Sequence, residues 1–349
     1  MRTEHTFLLP KIPLIAKKIL EKGRKNRYYS CKSTNMLETS QHMNTTLKLH
    51  GLVAATHTPM NADGTCNPDA VDAQAKFLAE QGIKMTFITG STGESAHMQL
   101  TERKENMAAW GEAKKKYGIG FVVHTGGNSV YDGRELAAYA AECGADGTAS
   151  NSPCYFKPGS VDALADCAAF EASGAPDLPY YFYDIPVLTH VAFNPCKIID
   201  AMAARIPNFC GVKFTNPDLA LYMDALNHDG GKWDIPWGVD EWFLGALATG
   251  AKGGVGSSFN YAPALYQNII KSFNEGDVAH ARHLQLLSVK MINIIASHGY
   301  MGCCKQIMGW WGVDLGPARL PMGTPDAATV KQLRDELTAI GFFDWAINK

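Results

Sequence analysis

From residue 48 onward the chain alternates eight times between a short apolar run ending in small or polar residues and a longer amphipathic segment. The runs are Gly51–Thr58, Met85–Thr89, Ile119–Thr125, Gly147–Ser150, Tyr180–Asp184, Cys210–Thr215, Ile235–Val239 and Gly254–Ser258. Between them lie helical patterns such as Asp69–Glu80, Glu102–Lys116, Asp132–Cys143, Val161–Ser173 and Lys197–Arg205. A register of strand then helix implies a parallel sheet, since parallel neighbours need a crossover between them. Eight strands closing on themselves account for the length better than an open sheet does. The expected fold is therefore α/β, a (β/α)8 TIM barrel over residues 48–273, with functional residues at the C-terminal ends of its strands. From Asn274 to residue 349 the pattern reads as a C-terminal helical region capping the barrel.

Residues 1–47 differ in character. Lys17, Lys18, Lys22, Arg24, Lys25 and Arg27 cluster basic charge, and a Ser/Thr/Asn-rich stretch follows through Thr46. This reads as a disordered N-terminal extension, with a targeting segment or a functional arm as alternatives. The formal net charge of −2 supplies no strong field for nucleic acid or an anionic membrane, and no apolar run approaches the ~20 residues a bilayer span needs. The nine cysteines are odd in number and contain no C-x-x-C, which predicts reduced thiols and a cytoplasmic protein. A small molecule is the expected partner.

In Cys210-Gly211-Val212-Lys213-Phe214-Thr215 the two-residue period of a strand places Lys213 on one face with Gly211 and Thr215, pointing into the barrel. Desolvation there lowers an ammonium's pKa and yields the neutral amine that attacks a ketone. A lone lysine in a strand is also read as snorkelling or paired with a buried acid. Tyr183 ends the neighbouring fifth run, where a phenol can relay protons, although an aromatic residue in a strand is often simply core. After the second run comes Thr89-Gly90-Ser91-Thr92-Gly93-Glu94-Ser95, a tight turn whose Ser91 and Thr92 hydroxyls and amides can hold a carboxylate. The spacing of Ser91 and Glu94 equally suits a capping box that starts a helix. No histidine pair has metal-ligand spacing, so no metal is expected, and His97 and His124 read as ordinary loop or core residues. Gly250-Ala251-Lys252-Gly253-Gly254-Val255-Gly256-Ser257 lacks the lysine placement of a phosphate loop.

With these motifs in order, the sequence resembles the N-acetylneuraminate lyase and dihydrodipicolinate synthase group of Schiff-base aldolases, from Lys48 to about Asp344. The resemblance is carried by Gly51-Leu52-Val53-Ala54-Ala55-Thr56, the Gly90–Glu94 loop, Tyr183-Asp184-Ile185-Pro186, Gly211-Val212-Lys213-Phe214, Gly238-Val239-Asp240-Glu241 and Gly254-Val255-Gly256-Ser257-Ser258-Phe259-Asn260-Tyr261. It implies that Lys213 forms the imine, that Tyr183 is the acid–base tyrosine, and that Ser91 and Thr92 cradle a pyruvate carboxylate. It also implies a homotetramer in which Tyr155 enters the neighbouring subunit's site. Dihydrodipicolinate synthases carry an arginine shortly after Tyr-x-x-Pro, whereas Val187-Leu188-Thr189-His190 supplies no guanidinium. Thr215, Gly238, Asp240, Glu241 and Ser257 instead match positions at which the lyases hold a sugar's polyol tail. Two departures from the pattern are Asp184, where some lyases have histidine or asparagine, and His190, in place of a glycine.

The expected activity is reversible aldol cleavage of N-acetylneuraminate to N-acetylmannosamine and pyruvate, needing no cofactor because the imine supplies the electrophile. Alternatives are another pyruvate-dependent aldolase or hydratase, and a catalytically silent barrel that binds a sugar acid.

Overall fold

A computed structural model describes residues 47–349, and the basic extension read upstream of Leu47 lies outside them. Seven strands, β1 (Gly51–Ala55), β2 (Met85–Ile88), β3 (Gly120–His124), β4 (Gly147–Asn151), β5 (Tyr180–Asp184), β6 (Phe209–Phe214) and β7 (Gly253–Gly256), form one curled parallel sheet in the order β6-β5-β4-β3-β2-β1-β7. Alternate side chains divide between two apolar layers, as the pleat requires. Val53, Phe87, Val122, Tyr181, Tyr183 and Val255 share the cluster on the concave face. Ala54, Ile88, Phe121, Val123, Phe182, Val212 and Phe214 belong to the larger cluster between the sheet and its helices. Burial on both faces explains why the strands read as continuous apolar runs rather than as alternating ones.

The seventh expected run, Ile235–Val239, differs from a regular strand. It makes isolated parallel bridges, Phe214 with Trp237 on one side and Trp237 with Gly254 on the other, with Gly211 bridged to Asp234 just before it. The Val212 and Phe214 amides donate to Asp234 O and Pro236 O at 3.0 and 2.9 Å, and the Val255 amide donates to Trp237 O at 2.8 Å. Pro236 has no N–H to give, so a continuous two-sided ladder cannot form through it. Gly211 permits the close approach: a Cβ there would lie 1.7 Å from Asp234 O.

The crossover helices are α1 (Val71–Glu80), α2 (Leu100–Tyr117), α3 (Val130–Glu142), α4 (Val161–Ala172), α5 (Pro195–Ala203), α6 (Leu219–Asn227), α7 (Phe243–Thr249) and α8 (Pro263–Asn274). Polar side chains start several of them: Ser129, Ser160, Asn194 and Asp218 accept backbone N–H groups of the first turns of α3, α4, α5 and α6. Beyond residue 274 follow α9 (Val278–Ser297), α10 (Tyr300–Trp310) and α11 (Ala327–Ala339). Met291, Ile295, Cys304, Ile307, Leu333 and Leu337 from these helices join the same apolar cluster as the sheet's outer face. Among the described residues no helix is long and apolar enough to cross a membrane.

Candidate active site

Lys213 lies one residue before the end of β6, directly across the ladder from Tyr183, and is 3% exposed. Val212 and Phe214 take the outer layer, so the lysine is turned onto the concave face. Its Nζ sits 4.0 Å from the ring centre of Phe87 and 3.8 Å from that of Tyr183. Burial pushes the ammonium down from the ordinary lysine range to about 7, a fall that the Asp240 charge only partly offsets. A substantial fraction of neutral amine is therefore present near neutral pH, which is the form that adds to a carbonyl.

The same burial acts oppositely on the phenol, pushing Tyr183 up to about 12. Tyr183 is held protonated, with its hydroxyl 3.5 Å from Ser91 Oγ. His124 ends β3 and packs edge-on to the Tyr183 ring at 5.7 Å. Its Nδ1 lies 3.0 Å from Thr89 O and its Nε2 3.1 Å from Asn151 Oδ1, and burial holds it neutral by lowering its pKa to about 3. His124 is thus the core histidine expected from the sequence, but it forms part of the wall behind Tyr183. The strand-end reasoning that singled out Tyr183 applies equally to it.

The loop after β2 does not begin a helix through a capping box. Glu94 adopts φ 57°, and its carboxylate meets Lys305 Nζ and the Arg319 backbone N–H. Ser91 faces Tyr183, and Thr92 follows it in the same turn, half-buried.

Asp240, whose charge acts on the lysine, lines a cavity of ≈470 Å³ together with Thr215, Gly238, Glu241 and Ser257. All five polyol candidates thus share one space, and one of them, Thr215, alternates onto the same face of its run as Lys213. Gly238 leaves room for the Thr215 hydroxyl, which a Cβ would meet at 2.0 Å. Asp240 is buried, and its Oδ2 accepts the Ser258 N–H at 2.9 Å and the Ser258 hydroxyl. Burial nevertheless raises its carboxyl to about 6. A further wall residue, Tyr300 of α10, has its hydroxyl 2.8 Å from Ser257 Oγ. Nothing in the sequence around Tyr300 pointed to the site, because it enters from the C-terminal helices some forty residues after the last strand. Val187, Trp242 and Ile292 give the cavity an apolar side. An amine, a protonated phenol and paired carboxylates next to hydroxyl groups suit imine chemistry on a polyhydroxylated keto acid.

Three residues stand apart. Tyr155 is 77% exposed beside Phe156 and does not join this cluster within the chain. Asp184 alternates with Tyr183 along β5, so it faces away from the lysine, and burial raises its carboxyl to about 7. His190 closes the turn Pro186–Thr189 at φ 52°, with its N–H donating to Pro186 O, a left-handed conformation that glycine adopts without steric cost. Among the described residues no group of three or more His, Cys, Asp or Glu side chains is arranged to hold a metal.

The model of the dihydrodipicolinate synthetase family matches residues 48–340. The N-acetylneuraminate lyase of Danio rerio is 38% identical over 279 residues, covering 79% of this chain and 91% of its own. That of Homo sapiens is 33% identical over 302 residues, covering 85% and 94%. Among solved structures, the N-acetylneuraminate lyase of Proteus mirabilis superposes with a TM-score of 0.82 at 34% identity, covering 85% of this chain and all of that one.

Proposed function

The chain belongs to the dihydrodipicolinate synthetase family, and from that premise we propose that it is a carbon–carbon lyase acting on N-acetylneuraminate. It cleaves this sugar acid reversibly to N-acetylmannosamine and pyruvate, the activity in the names of its relatives. The observation that carries the reading is the Lys213 amine, buried between Phe87 and Tyr183 and depressed to about 7, with Asp240, whose charge acts on it, lining a cavity of hydroxyl-binding groups.

Lys213 Nζ adds to the C2 ketone of the open-chain substrate, and loss of water gives a protonated imine. As the C3–C4 bond breaks, its electrons move into that imine, the C4 hydroxyl gives up its proton and N-acetylmannosamine leaves as the aldehyde. The enamine takes a proton at C3, and hydrolysis then frees pyruvate and the amine. With its pKa at about 12, Tyr183 is not itself a base. It accepts the C4 proton only as it passes its own to an acceptor on the other side. The substrate carboxylate, held by Ser91 and Thr92, is placed for that purpose because Ser91 Oγ is 3.5 Å from the phenol oxygen. Thr215, Gly238, Asp240, Glu241 and Ser257 bind the polyol tail.

The closed (β/α)8 barrel over residues 48–273 is the reading of the curled sheet supported by the bridges of Trp237 to Phe214 and Gly254. The helices of 274–349 then form an appendage to it. A reducing, cytoplasmic setting is supported by the eight described cysteines, none of which is in a disulfide with another of them. The exposed pair Tyr155 and Phe156 supports a homotetramer in which this corner meets a neighbour's site. Borohydride reduction in the presence of pyruvate, followed by peptide mass spectrometry, tests the chemistry. An adduct on Lys213, with N-acetylmannosamine released in a parallel assay, is expected. No adduct, or one on another lysine, refutes the assignment.

A further inference from the structure

Two non-glycine residues at positive φ, Thr89 at 52° and Glu94 at 57°, bracket the turn that carries Ser91 and Thr92. The turn is tight: the Glu94 N–H donates to Ser91 O at 3.1 Å, and a Cβ on Gly93 would lie 2.9 Å from Thr89 Cα. Side chains with a Cβ resist the left-handed region, so such a loop persists only where its surroundings over-determine it.

The surroundings come from the C-terminal region. Glu94 Oε1 lies 2.6 Å from Lys305 Nζ on α10, and both side chains are wholly buried. Glu94 Oε2 accepts the Arg319 N–H at 2.8 Å, and Lys305 also donates to Pro317 O at 2.8 Å. The Arg319 guanidinium pairs with Glu102 in the first turn of α2 and donates to His97 O at 2.7 Å. From the other side the Thr58 hydroxyl donates to Gly93 O at 2.7 Å. The turn is thus held at both Gly93 and Glu94.

A fully buried ion pair is a poor way to gain stability, because desolvating two charges offsets most of their attraction and an apolar pair of similar volume does as well. What such a pair fixes is geometry, since neither partner can leave without exposing the other as an uncompensated buried charge. We propose that Glu94 and Lys305 are positioning residues that set Ser91 and Thr92 for the pyruvate carboxylate. The C-terminal helices are then part of the frame of the site and not only a cap. The inference rests on the lyase reading above.

The test is the pyruvate dependence of borohydride trapping at Lys213 in the full chain, compared among the wild type, Glu94→Gln, and the double variant Glu94→Gln/Lys305→Met. Glu94→Gln keeps the side-chain shape and an oxygen for the Arg319 N–H. The double variant removes both charges together, so no buried charge is left unpaired. Circular dichroism and the thermal midpoint establish which variants are folded. In folded variants the half-saturating pyruvate concentration should rise about tenfold or more, since small misplacements of a binding group carry penalties of that size. The trapping rate at saturating pyruvate should stay within about threefold, the pattern of lost ground-state binding. A purely structural role would lower the thermal midpoint without this split. Wild-type half-saturation in either folded variant overturns the proposal. Absence of an adduct in the unaltered chain overturns the lyase reading and this inference with it, and is told apart by failing before any substitution is made.

Discussion

The acid–base behaviour of the site follows from two side chains that burial shifts in opposite senses. Lys213 is lowered to about 7, so it is protonated and inert below that pH and neutral above it. The rate of adduct formation with pyruvate should therefore climb about tenfold per pH unit on the acid side and level off above about pH 7. Stopped borohydride trapping across this range measures it, and a midpoint in the ordinary lysine range would mean a solvated amine. Tyr183, raised to about 12, should contribute no basic limb near neutrality. Tyr300 offers a separate check, because its hydroxyl meets Ser257 Oγ on the cavity wall. Tyr300→Phe removes one hydrogen-bonding group, so the KM for the sugar acid should rise about two- to tenfold with kcat nearly unchanged. An unchanged KM would put Tyr300 outside sugar binding. The placement of Lys213 beside Tyr183 was legible in the sequence because each occupies a strand end, where period and position define direction. Tyr300 was not, since a tyrosine opening a helix far along the chain carries no local sign of the cavity it reaches.

Among the elements, all seven regular strands and the five helices between the first six of them were legible, because burial on both faces gives strands an apolar run and helices carry their own spacing. The segment at Ile235–Val239 was legible as a place in the sheet but not as a run of isolated bridges. Its apolar pattern reports burial, whereas Pro236 and the approach of Gly211 decide the hydrogen bonding. The turn at Gly90–Glu94 was ambiguous for a related reason. Its spacing suits a helix cap, and what prevents one is a partner for Glu94 more than two hundred residues away. The Gly211 contact yields a prediction. Gly211→Ala places a Cβ 1.7 Å from Asp234 O and must push the bridging segment away from β6. The cost of such overpacking is about 1–3 kcal/mol. That corresponds to a fall of several degrees in the thermal midpoint, at roughly 2–4 °C per kcal/mol. Because Lys213 is two residues away, the trapping rate should fall as well. A variant with an unaltered thermal midpoint would mean that the two backbones are not in contact.

At the scale of the whole molecule, the site as described lacks a contribution from the loop after β4. The amides of Cys154 and Tyr155 both donate to Asn128 Oδ1, at 3.1 and 3.0 Å, so this loop is anchored while its two aromatic rings project outward at 77% and 86% exposure. Two adjacent exposed aromatic rings on a fixed loop are what an interface core requires, since they bring large apolar area at little cost in conformational entropy. In the proposed tetramer the ring of Tyr155 packs at the boundary, and its hydroxyl reaches the neighbour's site. These two functions separate by substitution. Tyr155→Phe retains the ring, so light scattering should still report a tetramer, while activity falls because the hydroxyl that reaches the neighbour's site has gone. Tyr155→Ala/Phe156→Ala removes the apolar area, so the assembly should shift to smaller species and activity should fall with it. If Tyr155→Phe leaves kcat unchanged while the double variant dissociates, the tyrosine serves assembly alone. If both variants remain tetrameric and active, the exposed pair belongs to neither interface nor site, and the active centre is complete within one chain.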